Sequence, residues 1–210
     1  MSNAPESDND HGNELPALDF RSPGRFAIHN PAPEGGETSP RLEPAPFLLG
    51  QHERIEECQG PEPLRSHALA LIQQARRSLC LYTPDLEPWL YDQRAIVEAC
   101  GQFLRAHPRN RLRVLLGDSR RAVGDGHGLL RLARQLTSNC LIRKLHPDYP
   151  AADVAFLLVD ECGLLLRPAP SLPSGQTHYR NVARVRALQR QFDQAWDASL
   201  SDPDLRSFLL

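Results

Sequence analysis

Three places in this 210-residue sequence gather side chains that could do chemistry. Gly117-Asp118-Ser119-Arg120-Arg121 sets a carboxylate beside two guanidinium groups just after an apolar run. Clustered arginines of that kind suit bidentate recognition of phosphate or carboxylate. Gly124-Asp125-Gly126-His127-Gly128 is the one glycine-rich turn, and with His127 as donor it could hold an anion at a helix start. A plain turn leading into a helix explains the same residues and is the favoured reading. His146-Pro147-Asp148, followed by Asp153, comes nearest to a metal-ligand cluster, yet the eight histidines are scattered and a loop histidine explains it better. Trp89 and Tyr91, just after Pro88, would either pack over a sheet edge or offer a stacking surface.

The standard nucleotide, metalloprotease and serine-hydrolase motifs are missing, and so is a coenzyme A pyrophosphate loop. No cofactor and no metal is expected. Cys58, Cys80, Cys100, Cys140 and Cys162 are far apart and odd in number, which fits reduced thiols. No apolar run reaches the roughly 20 residues of a membrane helix, and Met1-Ser2-Asn3-Ala4-Pro5-Glu6 lacks the basic and apolar parts of a secretory signal. A cytoplasmic protein without membrane contact is the expectation.

The net charge of −2 hides an asymmetry. Residues 1–63 hold twelve acids against four arginines, whereas residues 105–144 hold nine arginines and Lys144 against Asp118 and Asp125. A basic segment of that kind suits an anionic ligand such as nucleic acid, although an arginine-rich proteome would produce it too.

The elements that must position these groups follow from periodicity. Residues 1–46 carry Pro, Gly, Ser and acids without apolar repetition and predict a disordered arm. Residues 47–60 read as a linker or docking segment, with either a short strand or a docking segment beginning near Phe47-Leu48-Leu49. The folded domain should cover 61–200, followed by a tail at 201–210. Leu64, Ala68, Leu71, Ile72 and Ala75 predict a helix from Pro61 to Arg76. Strands are expected at Ser78–Tyr82, Arg111–Leu116, Cys140–Leu145, Val154–Val159 and Leu164–Leu166. Between them stand a helix from about Asp92, read as its cap, to Ala106, and another carrying Leu129, Leu132, Ala133 and Leu136. A last helix spans about Asn181–Leu200. This alternation predicts an α/β fold with a mostly parallel sheet flanked by helices and an antiparallel strand pair near the C-terminus.

Three segments of this pattern resemble one half of a phospholipase D-like domain: Ala75–Tyr82, Arg111–Asp118 and Val154–Glu161. The sequence is similar to bacterial uncharacterised domains of that superfamily, some of which follow a GNAT-type acetyltransferase domain. The resemblance implies a His-x-Lys-x-x-x-x-Asp element in which His attacks phosphorus, Lys neutralises the phosphoryl oxygens and Asp orients the site. If Asp160 matches that Asp, the His position falls on Asp153 and the Lys position on Ala155, and Arg167-Pro168-Ala169-Pro170 stands where a Gly-Ser element should follow. Lys144 is the only lysine and Ile142 lies two residues before it, so no His-x-Lys exists in the chain. The implied reading is a pseudoenzyme.

Ligands of open α/β sheets sit beyond the carboxyl ends of strands. That rule gathers Tyr82, Asp85, Asp118, Arg120, Arg121 and His146 at one edge. The leading expectation is a non-catalytic binding or regulatory module for an anionic ligand such as nucleic acid, or for a protein partner. The alternatives are an enzyme using Asp118 and His146, and a structural domain that pairs with a second copy of itself.

Overall fold

The computed structural model describes residues 41–147, 154–199, 202 and 205, all within a single unit spanning 40–210. Seven strands, β1 (Ile55–Gln59), β2 (Ser78–Thr83), β3 (Arg111–Leu116), β4 (Cys140–Lys144), β5 (Ala155–Val159), β6 (Gly163–Arg167) and β7 (Ser174–His178), form one sheet in the order β1-β7-β6-β5-β2-β3-β4. Among the described residues six helices accompany them: α1 (Pro61–Gln74), α2 (Pro88–Tyr91), α3 (Arg94–Ala106), α4 (Arg120–Gly124), α5 (Gly128–Gln135) and α6 (Val182–Asp197).

The expected mostly parallel sheet is corrected to a mostly antiparallel one. Only β2–β3 and β3–β4 run parallel, because only those pairs are joined by helical crossovers. The other four pairs are antiparallel. Both β1 and β7 escaped the sequence reading, since Ile-Glu-Glu-Cys-Gln and Ser-Gly-Gln-Thr-His carry no apolar run. β5 and β6 are buried along their whole length and read clearly.

Alternating side chains divide the core between the two faces of the sheet. Leu79, Leu81, Leu112, Val114, Leu157 and Leu165 pack with α1, α3 and α5 on one face. Cys80, Tyr82, Leu115, Phe156, Leu158 and Leu164 pack on α6 through Val185, Leu188, Phe192 and Trp196. Cys58, Cys80, Cys100 and Cys140 are buried free thiols, and burial pushes the Cys100 and Cys140 thiols up.

The segment before β1 packs against α1 and forms no strand at Phe47–Leu49. The Gln74 side chain accepts from Leu49 N at 2.8 Å and donates to Phe47 O at 2.9 Å. Phe47 stacks on His67, which shares a 2.9 Å hydrogen bond with the Tyr179 hydroxyl. Leu42 and Ala45, on the arm side of the expected boundary, also pack against the core.

One local assignment changes. Asp92 does not cap α3; its Oδ1 accepts from Gly128 N at 2.7 Å and so helps start α5. His127 is the N-cap of α5, its Nδ1 accepting from Leu129 N at 3.1 Å with the ring fully buried. The glycine-rich turn is therefore the start of a helix, as favoured.

Asp160 has a structural post. At φ 50° it occupies the left-handed region, and its carboxylate accepts from Arg76 N, Arg77 N and Ser78 N at 2.8–3.0 Å. This clasp holds the chain where it leaves α1 and begins β2. Asp160→Ala is expected to cost about 2 kcal/mol in urea unfolding by orphaning charge-assisted hydrogen bonds, with Asp160→Asn costing less.

Burial also depresses the His67, His127 and His178 pKa values below 6.5. As pH falls through that value, the unfolded chain takes up protons that the folded chain refuses. Stability should therefore be full above pH 6.5 and fall on acidification, by on the order of 1 kcal/mol between about pH 7.5 and 5.5. Urea midpoints across that range check the sign.

Candidate functional site

The carboxyl ends of β2, β3 and β6 open onto a cleft of about 910 Å³. Its lower wall is built from Tyr82, Thr83, Pro84, Leu116 and Gly117, and the Pro84 carbonyl accepts from Asp118 N at 2.8 Å, tying the two strand ends together. Its upper wall comes from the turn after β6, Pro168 to Ser171. Asp85, Glu87, Trp89, Asp118, Arg121 and Leu145 complete the lining.

A buried ion pair joins the two walls. Arg167, the last residue of β6, is 1% exposed, and its Nη1 contacts Oε1 of Glu87, which is 2% exposed. Its Nη2 donates to Pro170 O and Leu172 O, both at 2.6 Å, and its guanidinium lies 4.7 Å from the Trp89 ring centre. Thr83 Oγ1 donates to the other Glu87 oxygen at 3.2 Å. Burial pulls the Arg167 pKa down, with Asp85 opposing it. Gly175 permits the approach of β7 to β6 here, since a Cβ would meet Leu166 O at 2.6 Å. Leu86 and Glu87 both have positive φ, 68° and 41°, and Asp85 Oδ1 steadies them by accepting from Glu87 N at 3.0 Å. Such backbone costs on the order of 1–3 kcal/mol per residue and persists only where surrounding contacts enforce it.

At the mouth, carboxylates hold the arginines. Arg120 makes a 2.6 Å ion pair with Asp118 and also donates its backbone N–H to it. These bonds from Arg120 hold the Asp118 pKa down at about 2. Arg121 reaches Asp85 at 3.3 Å and Asp125 at 3.7 Å.

The strand-end rule is thus partly met. Tyr82, Asp85, Asp118 and Arg121 line the cleft and Arg120 flanks it through Asp118, while His146 follows the lining residue Leu145 and is half-buried. His127 lies elsewhere, at the start of α5. Asp160 sits at the opposite end of the sheet from Tyr82. Ala155 begins β5 at the cleft edge, 1% exposed and in register with Arg167. Asp153 lies outside the described residues, as does Asp148 of the His146 cluster. Among the described residues no group of three or more His, Cys, Asp or Glu is placed to hold a metal. None of their helices is long and apolar enough to cross a membrane.

Sequence reasoning missed Glu87, Thr83 and the role of Arg167. The available signal was Arg167 itself, a cation ending an otherwise apolar buried strand and so in need of a buried counter-ion.

A sequence profile for a domain of unknown function, DUF7931, matches residues 60–208. The chain belongs to this family. No curated protein matches it. Among solved structures, TrmBL2, an archaeal chromatin protein described with a novel mode of DNA binding, aligns at 14% identity and TM-score 0.50. That alignment covers 71% of this chain and 54% of TrmBL2, so the chain spans about half of that protein. Phosphatidylserine synthase of Haemophilus influenzae Rd KW20 aligns at 12% identity and TM-score 0.51, covering 70% of this chain and 38% of the synthase. Nuc of Salmonella typhimurium, a phospholipase D family member, aligns at 12% identity and TM-score 0.48, covering 70% and 97%. The first two likenesses are of fold.

The ion pair generates a test. Removing one partner strands the other charge, so Arg167→Met should cost about 3–5 kcal/mol in urea unfolding. Adding Glu87→Met should restore most of that loss, because an apolar pair of similar volume is tolerated where a lone buried charge is not. Equal additive losses would show that the pair does not couple the walls.

Proposed function

We propose that this DUF7931 domain is a non-catalytic phospholipase D-like module that binds nucleic acid through its phosphates. One observation carries the non-catalytic part. The position that the resemblance matches to the phosphoryl-binding lysine is Ala155, a buried methyl group. The guanidinium in register with it, Arg167, is closed by Glu87 and two carbonyls. A cation already paired in the interior has nothing left to neutralise a phosphoryl oxygen.

Two further points support a nucleic-acid ligand. Residues 105–144 carry a surplus of eight positive charges, and TrmBL2, of similar fold, is a DNA-binding chromatin protein. Residues 1–40 hold seven acids against two arginines, and that negative charge on the same chain opposes the approach of a polyanion.

Incubated with a labelled DNA duplex, the chain should bind it with an affinity that falls steeply between about 50 and 200 mM salt, and should return it intact. Removing residues 1–40 should tighten that binding. Hydrolysis of a phosphodiester reporter that disappears on His146→Ala would replace this reading with an enzyme working from the strand ends.

A further inference from the structure

The surplus of arginine does not collect at the cleft. Arg120 and Arg121 are each held by carboxylates there. Arg113 is paired with Asp193 at 2.9 Å and lies 5.0 Å from the Phe192 ring centre, and Arg143 lies 4.6 Å from that of Trp196. These four guanidinium groups either fasten the fold or are neutralised.

The opposite edge differs. Where α1 hands over to β2 and α3 to β3, a recess of about 590 Å³ is lined by Arg76, Arg77, His107, Arg109 and Asn110. All but Asn110 are exposed, and no carboxylate lines the recess. Among the described residues none of the three arginines has an acid partner. The acid bonded to this stretch, Asp160, spends its oxygens on the backbone N–H groups of Arg76, Arg77 and Ser78, which leaves both guanidinium heads to solvent. The floor is rigid. Asn110 Nδ2 donates to Phe103 O at 2.7 Å, Arg109 N donates to His107 Nδ1 at 3.1 Å, and Arg111 N donates to Arg77 O at 3.1 Å across the two strand starts.

We infer that this recess, and not the cleft, is the surface that meets the phosphodiester backbone of nucleic acid. The inference rests on the nucleic-acid reading above and specifies where it happens. Unpaired guanidinium groups on a fixed floor can grip phosphate oxygens in bidentate fashion without first breaking an ion pair. Apart from His107, the recess offers no aromatic ring, so its chemistry fits backbone contact that is indifferent to base sequence.

Two matched variants of the full-length chain decide the matter, R76Q/R77Q and R120Q/R121Q, each removing two positive charges. Fluorescence anisotropy with a random-sequence DNA duplex of about 20 base pairs, at about 50 to 200 mM NaCl, gives affinity and salt slope. R76Q/R77Q should weaken binding at low salt by about tenfold or more and flatten the log–log salt slope by about 2, while R120Q/R121Q should change affinity by less than about threefold. R76K/R77K, which keeps the charge, should bind nearly as the unmodified chain does, excluding a folding defect as the cause. Equal losses from both pairs, or a larger loss from R120Q/R121Q, overturn the inference and leave the nucleic-acid reading standing. If the unmodified chain shows no salt-dependent binding, the reading itself fails and takes the inference with it.

Discussion

The buried contact between Arg167 and Glu87 is the constraint on which the cleft depends. Two charges removed from water are expensive, and their attraction repays that cost only when the remaining donors and acceptors are also satisfied. Here Pro170 and Leu172 carbonyls take Nη2, Thr83 serves Glu87 and the guanidinium lies over the Trp89 ring, while Arg167 Nε is buried without a hydrogen-bond partner among the described residues. The pair therefore fixes the turn after β6, the end of β2 and the start of α2 together. It also explains why Leu86 and Glu87 tolerate a left-handed backbone. A strained loop is held because releasing it would strand a charge in the interior.

The same logic of assigned partners runs across the molecule. At one end of the sheet, carboxylates are spent on arginines; at the other, Asp160 is spent on backbone N–H groups and the arginines stay open. In between, Arg113 and Arg143 pack over the aromatic rings of α6 and fasten that helix to β3 and β4. A linear count of charge over residues 105–144 thus overstates any single patch, because strand direction sends neighbouring arginines to opposite edges.

Much of the fold was legible in the sequence, and what was not has physical reasons. The helices over 61–74 and 94–106 and the strands from 78, 111 and 155 announce themselves by apolar periodicity. β1 and β7 do not: Glu56, Glu57 and Gln176 are polar residues near the rim of the sheet, where side chains can reach water, and Thr177 is a polar residue buried against Cys58. Missing those strands made the sheet look parallel. Asp92 illustrates a second limit, since an Asp before a helix reads as its cap whereas here it serves a helix 36 residues on. Of the site, the strand-end rule found Tyr82, Asp85, Asp118 and Arg121. It could not find Glu87, whose meaning comes only from Arg167, eighty residues away in the chain and beside it in space.

The central claim is that this domain holds nucleic acid by its phosphates and leaves it unbroken. An amide NMR titration of the full chain with a DNA duplex tests that most directly, because it reports position and outcome in one sample. The account predicts shifts concentrated at Arg76, Arg77, His107, Arg109 and Asn110, reversed by added salt, with the duplex intact at the end. Shifts concentrated at Thr83, Asp85, Glu87, Asp118 and Arg167, accompanied by strand cleavage, would contradict it.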